Sequence, residues 1–145
     1  MTFIYIHTDN SNVADKLFVA TRAGAAAAKA EAKMQAAVVR IVGKATGFTT
    51  TKSDDAKGYV IRLTLAKVDV TAGKTRCSVS GSIGRYPPTT NLKGDKGEEM
   101  VSTSMTGNAT ADGTKEQAIF DCVEAIAEDL ATKAIPLMRT DMAKR

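Results

Sequence analysis

The chain has 145 residues, of which 43% are hydrophobic, but 23 of these are alanine, so the large side chains that fill a core are few. This length predicts a single domain over residues 1–145, with a core between about residues 3 and 135 and a polar C-terminal tail. One His and no Trp leave little material for a metal centre, so we expect no enzyme and no cofactor.

The compartment is left open by the N-terminal sequence. No run approaches 18 consecutive apolar residues, so we expect no transmembrane helix. The start, Met1 to His7, lacks the basic region, the long apolar region and the cleavage site of a signal peptide. Either the protein is cytoplasmic, or it is exported and a signal was removed before Met1.

The first predicted element is a strand over residues 3–7, which are aromatic and β-branched. A cluster of turn-forming residues follows at 8–12. Residues 13–21 are ambiguous, because Leu17-Phe18-Val19 suits a short strand or the first turns of a helix.

A helix is predicted over residues 22–42, where alanine, lysine and glutamate are strong helix formers. Its apolar residues recur at spacings of three and four and form one buried stripe. Gly43 and Gly47 are candidate terminators. The stripe consists of Ala23, Ala26, Ala30, Met34, Ala37 or Val38, and Ile41.

A β-hairpin is predicted next. Large apolar side chains recur at every second position over residues 59–66, which is typical of a half-buried strand. The apolar phase then switches at Val68 and Val70, which indicates a bulge or an edge beyond the core. A turn at 71–74 leads into a strand over 75–84. The inward residues of that second strand are Cys77, Val79, Gly81 and Ile83.

The C-terminal third predicts a loop, a strand and a helix. Residues 85–99 are expected to form a long loop and residues 100–111 a third strand, with Val101, Thr103 and Met105 on one face. A capping box at 114–117 opens an amphipathic helix, and Pro136 is expected to end or kink it near Ala134. The predicted fold class is therefore α+β, a three- or four-stranded mainly antiparallel sheet with two helices packed on one face.

The two cysteines, Cys77 and Cys122, lie 45 positions apart, which excludes a Cys-x-x-Cys motif. Cys77 shares the inward phase of its strand, and Cys122 belongs to the apolar stripe of the last helix, so the two sulfur atoms could meet in one core. Two buried free thiols and a disulfide made in an oxidising compartment are both compatible with this pattern.

Two surfaces are candidate contact sites for a partner. Small hydroxylated side chains occupy the outward phase of two strands, and that face or its edge could pack on another protein, including by strand addition. The second candidate is Tyr86-Pro87-Pro88 on the predicted loop. The outward-phase residues are Ser78, Ser80, Ser82, Ser102, Ser104 and Thr106.

The order of elements resembles the small α/β domain of the bacterial envelope that occurs in the curli-secretion channel subunit, the amino-terminal domain of the Tol propeller protein, and lipoprotein activators of penicillin-binding proteins. The resemblance is carried by the alanine-rich helix running into Gly47-Phe48, the segment 54–59, the hairpin strand 76–83 and the helix 117–130. It implies a non-enzymatic exported or lipid-tethered protein that acts through partners, and it favours the disulfide.

The sequence thus predicts a non-catalytic binding or assembly module of the bacterial cell envelope that acts through an unidentified protein partner. The alternative is a cytoplasmic domain that binds nucleic acid. The net charge of +4 is spread along the chain and favours anionic partners only weakly. On this alternative the contacts would come from Arg22, Lys29, Lys33 and Arg40 of the first helix.

Overall fold

A computed structural model describes residues 1–9, 23–90, 94, 96–97, 99–113 and 116–145. Two helices and seven strands lie in these residues. In chain order they are β1 (Thr2–Asp9), α1 (Ala23–Lys44), β2 (Phe48–Thr49), β3 (Gly58–Thr71), β4 (Lys74–Tyr86), β5 (Thr89–Thr90), β6 (Lys96–Gly97), β7 (Met100–Asp112) and α2 (Glu116–Met142).

The main sheet has five strands in the order β2-β1-β3-β4-β7. β1 runs parallel to β2 and β3, whereas the pairs β3–β4 and β4–β7 are antiparallel. The prediction of three or four mainly antiparallel strands is therefore corrected to a five-stranded mixed sheet. The reason is that α1 carries the chain from the end of β1 back to the other end of the sheet, and a crossover of this kind joins parallel strands.

Gly58 allows β3 to begin against β1. A Cβ at this position would lie 1.7 Å from the carbonyl oxygen of Phe3, which no side chain could tolerate. Phe3 is paired with Gly58 in the register, and the backbone N–H of Phe3 donates to the carbonyl oxygen of Lys57 at 3.0 Å. The absence of a side chain at Gly58 therefore allows the first residue pair of the parallel ladder between β1 and β3 to form.

The hairpin of β3 and β4 is confirmed. Its two turn residues, Ala72 and Gly73, both have positive φ values, 55° and 76°, as the two-residue turns that suit the twist of a hairpin require. The register shifts between Leu65 and Lys67, which confirms the bulge that the change of apolar phase predicted.

The core lies between the sheet and both helices, which also pack on each other. The predicted stripe of α1 is buried at Ala30, Met34, Ala37 and Val38, and its Ile41 is half-buried. The helix continues past Gly43 to Lys44, and the chain turns at Gly47, whose φ is +90°. The sheet contributes mainly Ile4, Ile6, Tyr59, Ile61, Leu63, Leu65, Cys77, Val79, Ile83 and Met105.

α2 corrects the prediction for the C-terminus. The helix passes through Pro136 and ends at Met142, so the expectation that it ends near Ala134 is wrong. Proline removes one hydrogen bond to the carbonyl four residues earlier, here that of Thr132, which is exposed to solvent. Because Met138 is fully buried beyond the proline, packing keeps the last turns helical.

Two smaller predictions are also revised. Arg85 and Tyr86 belong to β4, and the remainder of the predicted loop contains the short antiparallel pair of β5 and β6. Leu17-Phe18-Val19 and the first two residues of the predicted capping box, Thr114 and Lys115, lie outside the described residues.

Candidate binding surface

The sheet face opposite the helices is lined by small polar side chains. Ser78, Ser80 and Ser82 are half-buried there, and Thr106 is exposed. The hydroxyl of Ser78 donates to Oδ1 of Asn108 on the neighbouring strand at 2.5 Å. Most of the predicted hydroxylated face is thus present, and it continues across β4 and β7.

β7 departs from the predicted alternation at its first half. The register between β4 and β7 shifts on both sides of Ile83, so that Ser102 lies opposite the buried Ile83. Thr103 is exposed and lines a depression on the open face together with Ser82 and Ser104. The alternation of the sequence predicts that Thr103 shares a face with Met105 and that Ser102 lies on the open face. Both predictions are wrong, because a bulge inserts an extra residue and so reverses the face on which the neighbouring side chains lie.

The segment Tyr86-Pro87-Pro88 has two unlike parts. The Tyr86 ring packs edge-on against Phe3, with ring centroids 5.2 Å apart, and Nζ of Lys52 lies 5.8 Å from its centroid. Pro87 and Pro88 are exposed, and Pro87 borders a hollow that it shares with residues 52–57. Tyr86 therefore contributes to packing, and a partner contact through the two prolines stays a prediction.

Cys77 and Cys122 face each other across the core. Their sulfur atoms are at bonding distance, 2.05 Å, and their Cα atoms are 6.2 Å apart. Both residues are buried, with at most 2% of their surface exposed. Of the two states that the sequence leaves open, the structure has the disulfide. It joins the first half of β4 to the first half of α2.

A polar cluster that the sequence did not predict ties the other end of α2 to the sheet. The guanidinium of Arg85 donates to both carboxylate oxygens of Asp141, from Nε and Nη2 at 2.9 Å each. The hydroxyl of Tyr59 donates to Oδ2 of the same carboxylate at 2.7 Å. Nη1 of Arg85 also donates to Glu99 at 2.6 Å.

These contacts change the acidity of the groups involved. The hydrogen bonds from Arg85 hold the pKa of the Asp141 carboxyl below its usual value, with the Tyr59 hydroxyl as a weaker cause. Burial and the hydrogen bond to Asp141 raise the pKa of Tyr59 to about 12. The carboxylate is thus ionised and the phenol neutral over the physiological pH range.

The last residue extends this cluster. Arg145 donates from Nη1 to the carbonyl oxygen of Gly58 at 2.8 Å, and its guanidinium carbon lies 5.4 Å from the centroid of the Tyr59 ring. No periodicity in the sequence marks these contacts, since Asp141 and Arg145 lie beyond a proline. The sequence offers only an acidic and a basic residue within the segment that is predicted to be a polar tail.

The basic residues of α1 are not uniformly available to an anionic partner. Lys29 and Lys33 are exposed, but the guanidinium of Arg40 donates to Glu124 at 2.9 Å and also contacts Glu128, both on α2. Arg22 lies outside the described residues. Nucleic-acid binding therefore stays a prediction, and one of its four residues is engaged in joining the two helices.

Within the part of the chain that the structure describes, no group of three or more His, Cys, Asp or Glu side chains could hold a metal ion. In the same residues, neither helix combines the length and the apolar character needed to span a bilayer.

Comparison with known proteins gives a fold and no family. No protein-family model matches the sequence, and no curated protein is significantly similar to it. A crystal structure of a candidate lipoprotein from Caulobacter crescentus CB15 is similar over 80% of this chain and 85% of its own, with 15% identity and a TM-score of 0.51. A minor lipoprotein from Acinetobacter baumannii is similar over 97% of this chain and 92% of its own, with 12% identity and a TM-score of 0.48.

Only the first of these likenesses exceeds a TM-score of 0.5, and at 15% identity it shows the fold alone. Neither protein comes from the curli, Tol or penicillin-binding-protein activator families that the order of elements resembles. The comparison therefore supports the coarser prediction, an α+β fold that also occurs in the candidate lipoprotein from Caulobacter crescentus.

Proposed function

We propose that this protein is a non-catalytic binding module of the bacterial cell envelope that acts through protein partners. The observation that carries the proposal is the buried pair Cys77–Cys122 at disulfide distance. Disulfides form and persist in oxidising compartments such as the bacterial periplasm and are rare in the cytosol. The fold likeness to a candidate lipoprotein agrees with this compartment.

The proposed working surface is the open sheet face together with the exposed Pro87 and Pro88. The open face presents hydroxyl and amide groups on a rigid sheet, and the depressions on it are open to solvent rather than enclosed. Such a surface suits contact with another folded protein better than the enclosure of a small substrate, because ligand pockets are mostly deep and apolar. We therefore assign no catalytic residue.

A thiol titration tests the compartment. The protein is recovered from its native host by lysis into acid, which stops oxidation and thiol exchange, then denatured without reductant in the absence of oxygen and titrated with a chromogenic thiol reagent. We expect no reactive thiol before reduction and two after it. A Cys77→Ala variant is the matched control, because it should show one free thiol, that of Cys122. Two free thiols in the native protein would overturn the assignment to an oxidising compartment.

A further inference from the structure

β7 forms one border of the five-stranded sheet. It pairs with β4 on one side, and among the described residues no strand pairs with its other side, which we call the outer edge of β7. This strand is 13 residues long, about twice the usual length of a strand. The outer edge therefore offers an extended row of backbone donors and acceptors.

The register shows which residues of β7 direct their backbone N–H and C=O groups away from β4. The backbone N–H of Gly113 donates to the carbonyl oxygen of Gly73 at 2.9 Å, and the register is unbroken from there down to the pair of Gly81 and Met105. In an antiparallel ladder the direction of the backbone groups alternates along the strand. The groups that point away from β4 therefore belong to Thr106, Asn108, Thr110 and Asp112.

The outer edge lacks the sequence features that usually prevent an edge strand from pairing with another chain. Exposed edges are commonly blocked by lysine, by proline or by an early end of the strand, and β7 contains no Lys, Arg or Pro. Its bulge lies in the first half, before Met105. Thr106, Asn108, Thr110 and Asp112 are all exposed, so the second half is regular, accessible and nearly uncharged.

We infer that the outer edge of β7 pairs with the same edge of a second copy of this chain, antiparallel about a two-fold axis at Asn108. This inference rests on the proposed function, of which it names one partner. In this register Asn108 lies opposite its own counterpart, Thr106 opposite the partner's Thr110, and Ser104 opposite the partner's Asp112. Facing residues with outward backbone groups exchange two N–H···O bonds, so the pairing joins two sheets of five strands into one of ten.

A second copy fits this edge because the edge is complementary to itself. The two-fold register places threonine against threonine, a pair that is favourable across strands, and places the uncharged Asn108 against its own counterpart. It brings no two like charges together, since the one charged residue of β7, Asp112, faces a serine hydroxyl that can donate to it. Two identical strands also share length and twist, so the ladder can extend over the whole regular half.

The test is the association state of the full chain. Sedimentation velocity over a range from micromolar to millimolar should show a reversible monomer–dimer equilibrium. Asn108→Lys should weaken the dimer by roughly tenfold or more, because two ammonium groups then meet on the axis. Ala66→Lys is the matched control: it adds the same charge at an exposed residue of β3, two strands away from the outer edge, and should leave the equilibrium unchanged.

A charge-swapped pair distinguishes edge pairing from a folding defect. Asn108→Lys and Asn108→Asp should each dimerise more weakly than the natural chain, and an equimolar mixture of the two should recover the dimer at a concentration where each alone is mostly monomeric. Recovery requires both variants to be folded and requires residue 108 of one copy to face residue 108 of the other. A chain that is monomeric at all concentrations, a dimer unaffected by Asn108→Lys, or a mixture that stays monomeric would each overturn the inference.

A cross-link measures the register directly. Facing residues of a hydrogen-bonded pair have Cα atoms about 5.5 Å apart, within the range of a disulfide, so Asn108→Cys should give a covalent dimer under mild oxidation. Thr106→Cys is the control, because its counterpart would lie roughly 14 Å away. Equal cross-linking of the two variants would exclude this register. These results do not depend on the state of Cys77 and Cys122, so this inference and the proposed compartment can fail separately.

Discussion

The two ends of α2 are fastened to the same strand by different chemistry. Near its start, Cys122 is joined to Cys77 of β4 inside the core, and near its end Asp141 is held by Arg85 of β4 and by Tyr59. The first connection depends on the redox state of the surroundings, and the second depends on pH and ionic strength. α2 therefore stays in place on the sheet through two contacts that respond to different conditions.

Removal of the disulfide should have the largest effect. We expect a Cys77→Ala, Cys122→Ala double variant to lose about 4 kcal/mol of the free energy of unfolding, since the bond closes a loop of 45 residues. Urea denaturation monitored by circular dichroism measures this change. A reductant should destabilise the natural protein by a similar amount and leave the double variant unaffected; equal stability of the two proteins without reductant would contradict the expectation.

Disruption of the second connection should have a smaller effect. Asp141→Asn removes the charge that accepts three hydrogen bonds in a site where the side chain is 12% exposed, and we expect the free energy of unfolding to fall by about 1–2 kcal/mol. Asp129→Asn is the matched control, because the pair of Asp129 and Lys133 is largely exposed and should contribute less than about 0.5 kcal/mol. Equal losses in both variants would show that burial of the cluster is unimportant.

The acid dependence of stability should differ between the same two variants. A carboxyl whose pKa is lowered by folding stabilises the protein above its unfolded pKa, and this contribution is lost as the pH falls through the folded value. Because the pKa of Asp141 is lowered, the natural protein and Asp129→Asn should lose this stability below about pH 4. Asp141→Asn should lack that part of the loss.

The smallest effect is expected from Tyr59→Phe, which removes one hydroxyl and one hydrogen bond to Asp141 and should cost about 1 kcal/mol at neutral pH. Its signature lies at high pH. The pKa of Tyr59 is raised to about 12 in the fold, so its stabilisation is complete below about pH 10 and is lost as the pH rises through 12. Between pH 8 and 12, the free energy of unfolding measured by urea denaturation should therefore fall less steeply with pH for the variant than for the natural protein. An equal pH dependence in the two proteins would contradict a buried, neutral phenol.

The two ends of α2 also differ in how well the sequence predicts them. The placement of Cys77 and Cys122 toward one core follows from two local periodicities, a period of two on the strand and a period of 3.6 on the helix. The contact of Arg85 with Asp141 follows from neither. It joins a residue assigned to a loop with a residue beyond Pro136, and proline is ordinarily a signal that a helix ends.

The same distinction explains the errors in the sheet. The hairpin of β3 and β4 and its bulge were predicted because adjacent residues specify both the turn and the change of phase. The parallel placement of β1 beside β3 depends on where α1 returns the chain, and the bulge in β7 depends on its pairing with Ile83. Local alternation reports neither, so Thr103 was assigned to the wrong face.

The sequence by itself determined the α+β class, the alanine-lined helix, the hairpin and the common core of the two cysteines, because each depends on spacings of a few residues. Only the tertiary structure decided the mixed strand order and the packing of the last turns of α2 on the sheet. It also decided that the outer edge of β7 pairs with no other strand among the described residues. These features depend on which distant segments become neighbours. A buried Met138 and an ion pair across the fold can hold a helix past a proline, and that stabilisation exists only once the chain has folded.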